Sequence, residues 1–140
     1  MKARKLYFTD CHLAGRKYHD ADEVWDELKM GTVLQLERDL NNHHDPYAVA
    51  VLYKKANEDE PYLIGYIPRG ENETIANLLE MGWTDIFECR ISKIDVEAHP
   101  EHQVQLTINP SLIFNCPFLL LSSTLRFSFV ALCTTNFSRF

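Results

Sequence analysis

Positive charge is scarce in this chain. Fourteen Lys and Arg stand against 20 Asp and Glu, a net charge of −6 over 140 residues. Broad electrostatic nucleic-acid binders are usually strongly basic, so that class is disfavoured, while a small local site stays open. Paired cysteines are also missing. Cys11, Cys89, Cys116 and Cys133 contain no C-x-x-C and no zinc-knuckle spacing with a histidine, and read as reduced thiols of a cytosolic protein. No Gly-x-Ser-x-Gly elbow and no phosphate-cradling Gly-rich loop occurs, and nothing in the chain specifies a reaction. No signal peptide is visible: Met1-Lys2-Ala3-Arg4-Lys5 leads into a short apolar run closed by Asp10, so the start reads as intracellular and the setting as cytoplasmic. No internal repeat is apparent.

What is present is centred on Leu34 to Val51. Leu34, Leu36 and Arg38 alternate with Gln35 and Glu37, and Ala48 to Tyr53 is rich in valine. Both runs read as strands. Between them lie Asp39, Asn41, Asn42, His43, His44 and Asp45, closed by Pro46. Asn and Asp bond their own main chain and Pro ends pairing, so this is a connecting loop that projects hydrogen-bonding groups.

Around this centre the chain reads as β-α-β-β-β-α-β-β. Leu6 to Gly15 is a first strand. Asp20 or Asp22 caps a short helix carrying Val24, Trp25 and Leu28 on one face, and Gly31 ends it. After Lys54–Pro61, a charged hairpin loop, Tyr62–Ile67 is a strand stopped by Pro68. Glu73–Met81 is a helix ended by Gly82, and Asp85–Val96 and Val104–Ile108 are strands. Short strands with two short helices point to a mainly β (α+β) fold, a partly open small barrel of the OB type with about six strands. The domain spans residues 1–108. Residues 109–140 form an apolar tail with no Asp, Glu or Lys, read as an extra strand pair, an extension from an altered reading frame, or an anchor. Arg126 interrupts a segment already shorter than the ~20 residues that span a bilayer.

Three chemistries are open for the loop. His43 and His44 could join His19 and Asp45 in a metal site, zinc being the foremost candidate, and a metal-dependent hydrolase would follow from that set. Adjacent histidines on extended backbone point to opposite sides, which weighs against it. The bland reading is a loop whose Asn and Asp cap their own backbone. The third is ligand recognition: Arg16, Lys17, Tyr18 and His19 follow one strand and Tyr66 and Arg69 close another. A cation beside a ring is what a nucleic-acid strand requires, phosphate on the first and base on the second. Asp45 repels phosphate but accepts from a sugar hydroxyl, which suits a strand end. Tyr18 and Tyr66 are equally compatible with ordinary barrel packing.

At these residues the chain resembles the HIRAN domain family. The matching pieces, in family order, are Leu13-Ala14-Gly15-Arg16-Lys17-Tyr18-His19, Gly31, Leu34 to Asp39, Asn41 to Val51, Ile64-Gly65-Tyr66-Ile67-Pro68-Arg69 and Ile75-Ala76-Asn77-Leu78-Leu79. The resemblance implies a modified OB-like barrel that binds the 3′ end of single-stranded DNA. The family's domain accompanies fork-remodelling translocases and also stands alone in small bacterial proteins, the form this chain suggests. Carried over by position, Asp45 takes the terminal hydroxyl and Asn42 supports it. Tyr18 stacks on a base, Lys17 and Arg69 meet phosphates, and Tyr66 faces the DNA. Many members read Asn-Pro-Tyr-Asp where this chain has Asn42-His43-His44-Asp45, so His44 replaces a better stacking ring. No motor motif accompanies the domain, and no cofactor is implied. The expected partners are single-stranded DNA ends and a DNA-processing protein, in DNA repair and away from membranes. The rival reading is a protein-interaction or regulatory module on the same barrel.

Overall fold

A computed structural model of the chain describes residues 9–111. Their strands are β1 (Thr9–His12), β2 (Val33–Arg38), β3 (Val49–Tyr53), β4 (Tyr62–Tyr66), β5 (Phe87–Ile94) and β6 (Val104–Pro110), with helix α1 (Glu73–Glu80) between β4 and β5. All pair antiparallel in one six-stranded sheet of order β1-β6-β5-β2-β3-β4. Register shifts at Val51/Leu52 and Ile91/Lys93 add the local bend that curls a sheet.

The curl brings the two edges together. Just beyond β1, Ala14 exchanges both backbone bonds with Tyr66 at the end of β4, each 2.9 Å. Gly65 permits that approach, since a Cβ there would lie 2.6 Å from the Ala14 carbonyl oxygen and 2.8 Å from the Leu13 side chain. The result is the small OB-like barrel expected from the strand pattern. Its interior is filled by Leu13, Val49, Val51, Ile64, Ile91, Leu106 and Ile108, all nearly solvent-free. Alternation along β6 accounts for its share, because Val104, Leu106 and Ile108 are buried and the residues between them are only half-buried.

Helix α1 adds Ile75, Ala76 and Leu79 to the same core. It ends as the sequence indicates: the Gly82 amide donates to Leu79 and the Trp83 amide to Leu78, with Gly82 at φ 89°. This is the paired capping pattern that a left-handed glycine makes accessible. Its start is less ordinary. Asn72 stands at the N-cap and its carbonyl accepts from the Ala76 amide at 2.8 Å, but its side chain makes no cap bond because it is committed elsewhere.

The earlier of the two short helices is present as separate 3-10 turns, Asp20–Asp22 and Trp25–Glu27, which follow a first such turn at Arg16–Tyr18. His19 is extended between the first two, and Leu28 leaves the third extended. A short segment gains little from helix propensity alone, and most of its stability comes from packing. Tertiary contact holds them instead: Ala21, Val24 and Leu28 are buried in the barrel core. The expectations for the tail fall mainly on residues 112–140, outside the described residues. Among the described residues no helix is long and apolar enough to cross a membrane.

Candidate nucleic-acid interface

Much of the hydrogen bonding of the loop between β2 and β3 is to itself. Asp39 Oδ1 accepts from the Asn41 amide at 3.0 Å. Asn42 Oδ1 accepts from the amides of His44 at 2.9 Å and Asp45 at 3.1 Å. Asp45 Oδ1 accepts from the Tyr47 amide at 2.9 Å. Three successive side chains thus each fold the backbone that follows them, the local behaviour for which Asn and Asp are selected in turns. From the strand side the Arg38 guanidinium donates to the carbonyls of Ala48 (2.9 Å), Asp39 (3.2 Å) and Pro46. Arg38 therefore acts as a clamp on the loop, while its Nε lies 3.7 Å from Glu80 on α1.

This self-bonding aims Asp45. Its Oδ2 accepts from Asn72 Nδ2 at 2.7 Å and lies 3.9 Å from Arg69 Nε. Asn72 is only 2% exposed, so an amide buried at the head of α1 fixes the carboxylate. Arg69 also donates from Nη2 to the His44 carbonyl at 2.5 Å. Asp45, His44 and Arg69 line one open cleft of about 420 Å³, with Tyr47, Gly70 and Glu73 on its rim. The Asp45 oxygens accept from Tyr47 and Asn72 respectively, and a carboxylate oxygen has capacity for a further bond.

Tyr66 stands behind this cleft. Its hydroxyl donates to Asp39 Oδ2 at 3.0 Å, and its ring meets His19 edge-on with centroids 5.2 Å apart. Burial, then the bond to Asp39 and the negative charge there, push its phenol above the ordinary value, so it stays a donor. Asp39 is consequently a junction: it also lies 3.5 Å from Asn42 Nδ2. Of the residues weighed for a metal, His19 packs on Tyr66 while His43 and His44 lie exposed in the loop. Among the described residues no group of three or more His, Cys, Asp or Glu is placed to hold a metal ion. Burial pushes the thiols of Cys11 and Cys89 up to about 12, which keeps both in the un-nucleophilic protonated form near neutral pH.

Lys17 and Tyr18 line a different, smaller cleft of about 140 Å³, faced by His99, Pro100 and Glu101. Tyr18 is 78% exposed, the largest exposure among the described large apolar side chains. Arg16, grouped with Lys17 as a cation in the sequence, does different work. It lies 3.8 Å over the Trp25 ring, pairs with Asp22 at 2.5 Å and donates to Gln103 Oε1 at 2.5 Å. A third cleft, of about 360 Å³, includes Glu101 from the Tyr18 side and Pro68 and Glu71, which flank Arg69 and Gly70 in the chain. Asp10, Glu71 and Glu101 give it acidic walls, and His12 and His102 meet edge-on at 4.8 Å.

The proposed residues therefore divide. Asp45, His44 and Arg69 share one cleft and Lys17 and Tyr18 another, while Tyr66 lines none of the three and Asn42 shapes the loop from within. Asn72, Asp39 and Arg38 were missed as site-building residues. Asn72 lies 27 residues from Asp45 in the chain, so no local spacing could pair them. The Asx pattern around Asp39 was a usable signal.

Comparison with known proteins agrees with this fold. The model of the HIRAN domain matches residues 6–115. A Fanconi-associated nuclease 1 homolog from Oryza sativa subsp. japonica is 32% identical over 81 residues, covering 58% of this chain and 8% of that protein. The chain thus spans a small part of that relative's length. A crystal structure of a protein from Lactobacillus plantarum superposes with a TM-score of 0.57 at 21% identity, covering 74% of this chain and 91% of that one. The crystal structure of the HIRAN domain of human HLTF gives a TM-score of 0.47 at 14% identity, covering 76% and 80%.

Proposed function

The chain belongs to the HIRAN domain family, which supports a DNA-binding module, and from that premise we propose that it recognises the 3′ end of single-stranded DNA. Asp45 accepts a hydrogen bond from the terminal 3′ hydroxyl. Asn42 supports it by holding the backbone at His44 and Asp45. Arg69 meets the adjacent phosphate, and His44 offers a modest ring beside it. Lys17 and Tyr18 take a second phosphate and a stacked base. Tyr66 contributes to the DNA-facing surface through the loop that its hydroxyl braces.

One observation carries the reading: a carboxylate fixed by the Tyr47 amide and the buried Asn72 amide borders an open cleft next to a 72%-exposed Arg69 side chain. A carboxylate in that setting accepts a neutral hydroxyl and disfavours a terminal phosphate, whose charge it would meet directly. Arg69 supplies the compensating positive charge to one side. Few cations contribute to counterion release, so affinity is modest and falls with salt.

The test compares one short oligonucleotide bearing a 3′ hydroxyl with the same strand bearing a 3′ phosphate. The hydroxyl form binds tighter, and Asp45→Ala removes the preference while leaving weaker, salt-sensitive binding. Equal affinity of the two strands for the unaltered protein overturns end recognition. The division into a binding domain of residues 1–108 and an apolar tail of 109–140 belongs to the same proposal, as do a cytoplasmic setting and a DNA-processing partner. The similarity to the Oryza relative, a Fanconi-associated nuclease 1 homolog, favours a place in DNA repair.

A further inference from the structure

We propose that Glu101 selects the base that enters the Lys17–Tyr18 cleft, favouring cytosine and adenine over thymine and uracil. The inference rests on the DNA-binding reading above and adds a specificity that the reading does not contain.

The cleft is built rather than incidental. One wall is the turn of Lys17 and Tyr18, closed by the Tyr18 amide bonding the Gly15 carbonyl at 2.9 Å. The other is the 3-10 turn Pro100–His102 with His99 before it. Arg16 spans the two walls, stacked on Trp25, paired with Asp22 and bonded to Gln103, which in turn donates to the Val96 carbonyl at 3.0 Å. Its side chain is 12% exposed, so the brace is largely out of solvent. A cleft of about 140 Å³ held this way suits one base laid on the Tyr18 ring.

The facing wall carries opposite hydrogen-bonding characters. Glu101 is exposed, and its ionised carboxylate only accepts. His99 Nδ1 accepts from the Glu101 amide at 3.4 Å, which puts the proton of a neutral ring on Nε2 and makes that atom a donor. Cytosine and adenine present the matching pair on one edge, an amine that donates beside a ring nitrogen that accepts. Thymine and uracil reverse both, with a carbonyl oxygen and a ring N–H, so their oxygen meets the carboxylate. Acceptance of a cytosine amine by Glu is an established pairing in base readout. Stacking on Tyr18 alone tolerates every base, so discrimination here has to come from this wall.

The experiment places a single deoxycytidine or a single deoxyuridine at each of the last three positions of a ten-nucleotide oligothymidylate. Binding to the full chain is then measured at low salt. At one position deoxycytidine binds roughly fivefold tighter than deoxyuridine, about the worth of one exposed hydrogen bond. Glu101→Ala abolishes the ratio while leaving the unsubstituted oligothymidylate bound as well or better, since a negative charge has gone. Glu101→Gln also abolishes it, because an amide can both donate and accept. Equal affinities at every position, or a ratio that survives Glu101→Ala, overturns the selection while DNA binding stands. No binding by any of these strands overturns the DNA-binding reading and the selection with it.

Discussion

The loop from Asp39 to Tyr47 and the turn from Arg16 to Tyr18 both present groups to solvent, by opposite means. The loop is tied by its own side chains at Asp39, Asn42 and Asp45, and by Arg38 and Asn72 from outside. The atom proposed to meet the DNA end is an oxygen of Asp45, a residue whose side chain is only 17% exposed. The turn is closed by two backbone bonds, Tyr18 to Gly15 and His19 to Arg16, and Arg16 fastens it beneath, while Tyr18 stays 78% exposed. An acceptor must be aimed, and aiming it took bonds that also hold the fold together. A stacking ring needs only a fixed root. Function and stability are therefore entangled in the loop and nearly separate in the turn.

The largest effect follows from breaking what the two regions share. Gly65→Ala forces a Cβ against the Ala14 carbonyl at the seam where the barrel closes, between the strand that feeds the turn and the strand that ends at Tyr66. It should cost about 3 kcal/mol in chemical denaturation, near the upper end for overpacking, and weaken both regions together. Asn72→Ala acts on the loop alone. It leaves the Asp45 carboxylate without its buried donor, costs about 1–3 kcal/mol of stability, and blurs discrimination between 3′ hydroxyl and 3′ phosphate. A variant that loses the discrimination at unchanged stability would show the entanglement to be overstated.

Tyr18→Ala tests the other side of the contrast. Oligonucleotide binding should weaken by about 1–3 kcal/mol, the worth of a stacked base, while stability changes by less than about 0.5 kcal/mol. A large loss of stability would mean that the ring packs rather than presents. Tyr66→Phe has the smallest effect at neutral pH, removing one hydrogen bond to Asp39, about 1 kcal/mol. It carries a pH signature. The folded-state pKa of Tyr66 is raised above its ordinary value of 10.0, chiefly by burial. Its contribution is therefore full below that value and is lost as pH rises through the higher folded value. The phenylalanine variant should show a shallower fall in stability above about pH 10, while Tyr53 and Tyr62, raised in the same direction, retain part of the slope.

Local pattern was enough wherever the physics is local. Alternation in β2 and β6, the valine-rich β3, the stop at Pro68 and the glycine that ends α1 are all written within a few residues of where they act. So is the polar loop, since each Asx side chain folds the backbone next to it. Residues 20–28 mislead for the same reason: apolar spacing at Val24, Trp25 and Leu28 suits a helix, yet the burial it reports is satisfied by short turns docked on the core. The place of Arg16 was not legible, because charge says nothing about whether a guanidinium faces solvent or a neighbouring tryptophan.

By itself the sequence determined the strand set, the barrel class, the family and the presence of an acceptor-rich loop, since all depend on periods and motifs a few residues long. Only the tertiary structure decided what the loop's groups are bonded to. It joined Asp45 to Asn72, Tyr66 to Asp39 and Arg16 to Gln103, across 27, 27 and 87 residues. It also separated the Asp45 cleft from the Tyr18 cleft and set acidic walls between them. Hydrogen bonds of that reach exist only once the sheet has curled and closed, because closure alone brings their partners within 3 Å or so of each other.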